Sequence, residues 1–227
     1  MTAAEFLAER QADPKWVESE RVRAETRGMR SEKFAAICAP LLTSLRAAGY
    51  PVDSLGDIAR TYAPLPKSLV DVLLAALPTI PEVNIKEGIV RALGASRVRY
   101  DGRILTDLFE ATDNDSLRWA IANTLSIGKM RGVGVWVLDA MQRKEYGTAR
   151  QMLPLAAVRH NPPNVANPIL LGLLTEMPGH VAMALAESGG ESELAALQAQ
   201  YEIAEGWTNR AIGQAIDVIR RRWQESE

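Results

Sequence analysis

IKEGIVRALG at residues 85–94 and DSLRWAIANTL at residues 115–125 carry one apolar signature, and segments beginning at Ala149, Gly179 and Thr208 repeat it. Ile89, Ile121, Leu153, Val181 and Ile212 form one column; Leu93, Leu125, Ala157, Leu185 and Ile216 form a second. A third, Ala92, Thr124, Ala156, Ala184 and Ala215, holds only small residues. The first column advances by 32, 32, 28 and 31 residues. Within each segment the three positions share one helix face. A period of this size is the mark of a helical-hairpin solenoid.

Working outward, the columns become the second helices of successive pairs. These are predicted near 83–94, 115–127, 147–159, 178–188 and 207–222, with first helices near 68–77, 102–111, 133–143, 164–175 and 191–203. The breaks hold turn residues: Pro78 and Pro81, Asp113-Asn114-Asp115, Gly132 and Gly134, Pro162-Pro163, Gly189-Gly190. Such short breaks make neighbouring helices antiparallel. Pro154 is expected to bend the third second helix, because it removes a backbone donor. No strand-like alternation is sustained anywhere.

Upstream, residues 15–27 read as a mostly charged helix with apolar contacts at Trp16, Val17 and Val22. A separate amphipathic helix is predicted over 31–48, N-capped near Ser31 and stopped by Gly49 and Pro51. A short helix runs from Asp53 through Tyr62, and the APLP stretch at 63–66 breaks the chain. The expected organisation is therefore an N-terminal helical cap over 1–66 and a repeat domain over 67–227.

Composition narrows the function classes. Apolar residues make up 47% of the 227, enough for a sizeable core, and the net charge of −2 gives no global attraction to nucleic acid or anionic membrane. The single cysteine, Cys38, excludes an intrachain disulfide and reads as a small buried hydrophobe. MTAAEFLAER lacks the basic start and apolar run of a secretory leader, and no stretch is long enough to span a bilayer. A cytoplasmic protein is expected. Arginine outnumbers lysine 20 to 6, a bias that suits a GC-rich bacterial coding sequence.

IKEGIVRALG, DSLRWAIANTL, YGTARQMLPLAA (146–157) and GHVAMAL (179–185) resemble the second helices of bacterial HEAT-like repeats. The resemblance covers about residues 67–223. It implies an all-α fold: a right-handed α/α superhelix of about five helical hairpins, used to hold partners and not tied to one activity. In HEAT-like proteins the second helices usually line the concave surface.

The positions two before and two after the first column lie together on another helix face. They are Glu87 and Arg91, Trp119 and Asn123, Gln151 and Leu155, Gly179 and Met183, Arg210 and Gln214. A flanking column holds Lys86, Arg118 and Arg150. The expected partner-binding residues are thus Glu87, Arg91, Arg118, Trp119, Asn123, Arg150, Gln151 and Arg210. Trp and Arg dominate interface energetics, because they bury large areas and hydrogen-bond at the edge. The basic column has a structural reading as well: pairing with acidic turn residues such as Glu82, Asp113 and Asp115.

Catalytic signals are sparse. His160 and His180 have no partner at metal-ligand spacing, GVGV at 132–135 lacks the rest of a dinucleotide motif, and no nucleophile elbow is present. No catalytic residue, metal or cofactor is expected. The reading is a non-enzymatic protein-interaction scaffold or adaptor that docks a partner protein. The alternative is an alkylpurine DNA glycosylase or DNA-binding protein, since some HEAT-like proteins of similar length have a basic groove with aromatic residues and a carboxylate. The chain departs from those in net charge and in its N-terminal helices, and Lys86, Arg91, Arg118, Arg150 and Arg210 are few for a duplex.

Overall fold

Helix punctuation decides where each element of this chain begins. The computed structural model describes residues 2–225, except the side chains of Ala3, Ala4, Leu7, Ala8, Gln11, Arg27, Arg30 and Ser31. The protein is almost wholly helical, and it separates into two compact units between Ser54 and Leu55.

The first unit holds α1 (Ala3–Ala12) and α2 (Pro14–Ala47). A capping box opens α1. Thr2 Oγ1 accepts from the Glu5 N–H at 3.2 Å, and the Glu5 carboxylate accepts from the Thr2 N–H at 2.7 Å. Asp13 caps α2, with Pro14 in the first turn where its missing donor is not needed. The two helices predicted over 15–27 and 31–48 are one. No N-terminus forms at Ser31, whose side chain lies outside the described residues. Gly28 alone does not break a helix that has strong formers on both sides, and pairs such as Arg21 with Glu18 and Glu25 support its exposed part. The end falls where Gly49 and Pro51 place it. Gly49 takes φ 86°, and the Tyr50 N–H reaches back to the Leu45 carbonyl at 2.8 Å, closing a Schellman turn. Cys38 is buried, which pushes its thiol pKa up.

The second unit begins with α3 (Leu55–Tyr62). Pairs follow: α4 (Lys67–Ala76) with α5 (Val83–Gly94), and α6 (Arg103–Ala111) with α7 (Asp115–Ile127). After α8 (Gly134–Ala140) comes a 3₁₀ segment, Lys144–Met152, and then α9 (Leu153–His160). The last pairs are α10 (Pro163–Leu173) with α11 (Pro178–Ser188) and α12 (Glu191–Tyr201) with α13 (Gly206–Gln224). The expected boundary at 66/67 moves to 54/55 because α3 packs on α5. Leu55 comes so close to Gly88 that a Cβ there would meet its Cδ1 at 3.3 Å.

All fifteen positions of the three columns are buried. The helices that carry them pack in sequence, α5 on α7, α7 on α9, α9 on α11 and α11 on α13. The small third column lets backbones approach: Thr124 Oγ1 on α7 donates to the Val90 carbonyl on α5 at 2.9 Å. Gly94 serves the same end, since a Cβ there would stand 2.8 Å from Ile127 Cδ1. Burying each Leu, Ile or Val of these columns contributes about 1.5–3 kcal/mol.

Two details differ from the sequence reading. The helix predicted over 147–159 is broken before Pro154, not bent at it. Gly147 takes φ 54° inside the 3₁₀ segment, α9 starts only at Leu153, and Pro154 sits harmlessly in its first turn. A parallel pair of two-residue strands, β1 (Tyr100–Asp101) and β2 (Met130–Arg131), also ties the loops that follow α5 and α7.

Replacing Ile121 by Ala should lower the unfolding free energy by about 2–5 kcal/mol in a urea titration. Val135, which is 84% exposed, is the control. Its change to Ala should stay within about 0.5 kcal/mol of the parent.

Candidate partner-binding surface

Of the eight candidate residues, the fold brings three into one polar cluster on α5 and α7. Glu87 and Arg91 are one helical turn apart, and the Glu87 carboxylate accepts from Arg91 Nη2 at 2.7 Å and from Nε at 3.0 Å. Its other oxygen accepts from Ser116 Oγ, in the first turn of α7, at 2.8 Å. Held this way, the Arg91 guanidinium lies 5.3 Å from the ring centre of Trp119. Trp119 remains 36% exposed. Burial by itself would raise the Glu87 carboxyl pKa, but the hydrogen bonds from Arg91 and Ser116 together hold it below the ordinary value. The cluster therefore presents a fixed cation stacked on an indole, with its countercharge partly covered behind it.

Asn123 follows Trp119 by one turn and is half-buried. Gln151 is half-buried too, but it lies in the 3₁₀ segment, so it does not continue a regular helical face. Arg210, on α13, is exposed. The expected face also changes character along the chain. Gly179 is buried, because the Trp207 ring lies where its side chain would be; a Cβ there would stand 2.3 Å from Trp207 Cη2. Met183 is exposed.

The basic column turns inward. The Arg118 guanidinium packs over Phe109 and Tyr146, with ring centres at 5.6 and 5.3 Å, and donates to the Phe109 carbonyl at 3.2 Å. It also faces Asp113 at 3.5 Å, the acidic turn residue anticipated as its structural partner. Arg150 is buried, donates to the Met141 carbonyl at 3.2 Å and pairs with Glu176. Lys86 is half-exposed. Arg118 thus spends its donors on the last turn of α6 and the loop after it, and Arg150 on the end of α8 and the loop after α10.

Sequence reasoning missed the cluster that receives Arg118. Phe109 meets Trp136 and Tyr146 edge-on, at 5.1 and 5.0 Å between ring centres. Glu110 accepts from Trp136 Nε1 at 2.8 Å and from the Tyr146 hydroxyl at 2.6 Å, and Arg143 donates to that hydroxyl at 2.8 Å. Burial alone would raise Glu110, and these hydrogen bonds overturn it, leaving the carboxyl depressed. The only signal available was a Phe-Glu pair roughly one period before two aromatic residues.

The histidines have separate roles. His160 Nε2–H donates to the Leu125 carbonyl at 2.8 Å, at the C-terminal end of α7. His180 packs edge-on to Trp207 at 5.2 Å, and burial lowers its pKa. Among the described residues no three His, Cys, Asp or Glu side chains group as metal ligands do.

The two arginines differ in a measurable way. Arg118→Ala should cost about 1–3 kcal/mol in denaturant unfolding, because it removes both ring contacts and leaves the Phe109 carbonyl without its donor. Arg91→Ala, at an exposed pair, should cost less than about 1 kcal/mol. Comparison of this chain with protein-family models, with curated proteins and with solved structures returns no match.

Proposed function

We propose that this chain is a non-enzymatic interaction scaffold or adaptor that docks a partner protein on the face formed by α5 and α7. The architecture proposed for it is a HEAT-like, right-handed α/α superhelix with second helices on the concave side. The buried columns and the successive packing of α5, α7, α9, α11 and α13 support that architecture. A bacterial, cytoplasmic setting is part of the same reading.

The observation that carries it is the Arg91–Trp119 stack pinned by Glu87. A long arginine side chain normally loses rotamer entropy on binding; here Glu87 and the indole have already ordered it. An exposed, ordered Trp–Arg pair is the residue chemistry of an interface hot spot. Asn123 and Ser116 supply hydrogen-bonding groups at its border. A nucleic-acid reading draws less support, because Arg118 and Arg150 hold internal carbonyls and carboxylates and leave few cations for phosphates.

Tagged wild-type protein and the Arg91→Ala/Trp119→Ala variant, expressed in the native host and compared by affinity purification with mass spectrometry, test this. A partner retained by the wild type should be lost from the variant, while the melting temperature falls by no more than about 4 °C. Equal recovery of every co-purified protein, or a variant that no longer melts cooperatively, would overturn it.

A further inference from the structure

The short parallel pairing of β1 with β2 creates a second feature, away from the α5/α7 cluster. It sets Tyr100 beside Met130 and Asp101 beside Arg131. The residues just before these paired positions, Arg99 and Lys129, are thereby brought to one open cavity of about 390 Å³. Its other lining residues are Ile127, Gly128, Met130, Arg159 and His160. Three of the seven, Arg99, Lys129 and Arg159, are basic, and none is acidic.

The cations of this cavity are differently committed. Arg159 is fixed in the wall: it pairs with Glu187, Nε to carboxylate at 2.9 Å, and donates to the Ser126 carbonyl. His160 is oriented by its bond to the Leu125 carbonyl. The side chains of Arg99 and Lys129 are exposed and, among the described residues, hold no hydrogen bond or ion pair. The nearest acid along the chain, Asp101, is taken by Arg103 at 2.5 Å. Like charges set side by side on neighbouring strands are destabilising. This pairing keeps two of them together with no countercharge in the lining.

Gly128, in the lining, lets its neighbours pack close to the backbone. A Cβ there would stand 2.5 Å from Met130 Cε and 3.0 Å from the Thr124 carbonyl oxygen. Behind it lies the Tyr100 hydroxyl, buried, without a hydrogen-bond partner, and 3.7 Å from that same Cβ position. Ile127, half exposed at the rim, adds an apolar wall.

We propose that this cavity binds a small phosphorylated molecule, with Arg99 and Lys129 on the phosphoryl oxygens and Ile127 against the organic part. Guanidinium and ammonium groups suit a phosphate dianion, the first as a planar fork and the second as a point charge. The volume lies within the range of small-ligand sites and exceeds what a bare phosphate fills. The site is independent of Arg91 and Trp119, so it can fail or stand whatever docks on α5 and α7.

Calorimetric titration with inorganic phosphate, phenyl phosphate and phenol tests it, with amide shifts in a ¹H–¹⁵N spectrum to locate binding. Phenyl phosphate should bind one to one with a Kd below about 1 mM, tighter than inorganic phosphate, and phenol should not bind. Arg99→Ala and Lys129→Ala should each weaken it about tenfold, the value of one charge-assisted hydrogen bond. Shifts should centre on residues 127–130. The Arg99→Gln and Lys129→Gln variants repeat the measurement if either alanine variant loses its thermal transition. Absence of phenyl phosphate binding, binding unchanged by these substitutions, or equal binding of phenol would overturn the proposal.

Discussion

The approach of α5 to α7 is the constraint on which the rest of the second unit depends. Ala92 and Thr124 stand where a larger side chain would separate the two backbones. Thr124 then closes the distance with a buried hydrogen bond to the Val90 carbonyl. The same small column continues in Ala156, Ala184 and Ala215, and all of these are buried. Close approach lets the large columns on either side interdigitate at native density. It also fixes the lateral offset between helices, which sets where Ser116 meets Glu87 and where Trp119 meets Arg91.

Polar groups reach across the same intervals. The bond from Thr124 to Val90 spans 34 residues, His160 to Leu125 spans 35, and Arg222 to Gly189 spans 33. Several end on carbonyls of the last turn of a helix, which carry unsatisfied acceptors and partial negative charge. Arg159 and His160 serve α7 in this way, and Arg222 serves α11 through Gly189 and Ala186. The C-terminal ends of α7 and α11 are therefore capped by side chains of the pair that follows each of them.

This division explains what was legible. Columns of Ile, Leu and Ala at a constant interval, with Gly, Pro and Asp between them, place α5 at Val83–Gly94 and α7 at Asp115–Ile127 as predicted. The break at Gly147 was not legible, because a glycine inside a helical pattern signals a stop only when its φ is known, and Pro154 drew attention to the wrong position. The single helix α2 was hidden by Ser31, which reads as an N-cap although the backbone runs through it as helix. On the candidate surface, Glu87, Arg91 and Trp119 were legible because helical spacing alone brings the first two together. The pairing of Arg118 with Asp113 was legible as well, but its packing over Phe109 and Tyr146 and the burial of Arg150 against Glu176 were not. Each has a stem long enough to reach groups outside its own segment, and a helical wheel records only where the Cβ begins. Arg99 and Lys129 escaped notice because their meeting depends on a strand pair too short to leave any alternation.

The bifurcated grip of Arg159 has a mechanical consequence. From α9 it holds the last turn of α7 with one nitrogen and a carboxylate of α11 with two others. Helices that touch only their immediate neighbours would fray one at a time from an end, each loss indifferent to helices further along. One side chain that holds both flanking helices removes that indifference. When α11 loosens, Glu187 withdraws from the guanidinium, and the hold on Ser126 two helices away loses its countercharge. Loosening at the C-terminal side is thus felt at the wall of the Arg99–Lys129 cavity, and an occupant of that cavity would in turn oppose fraying of α11.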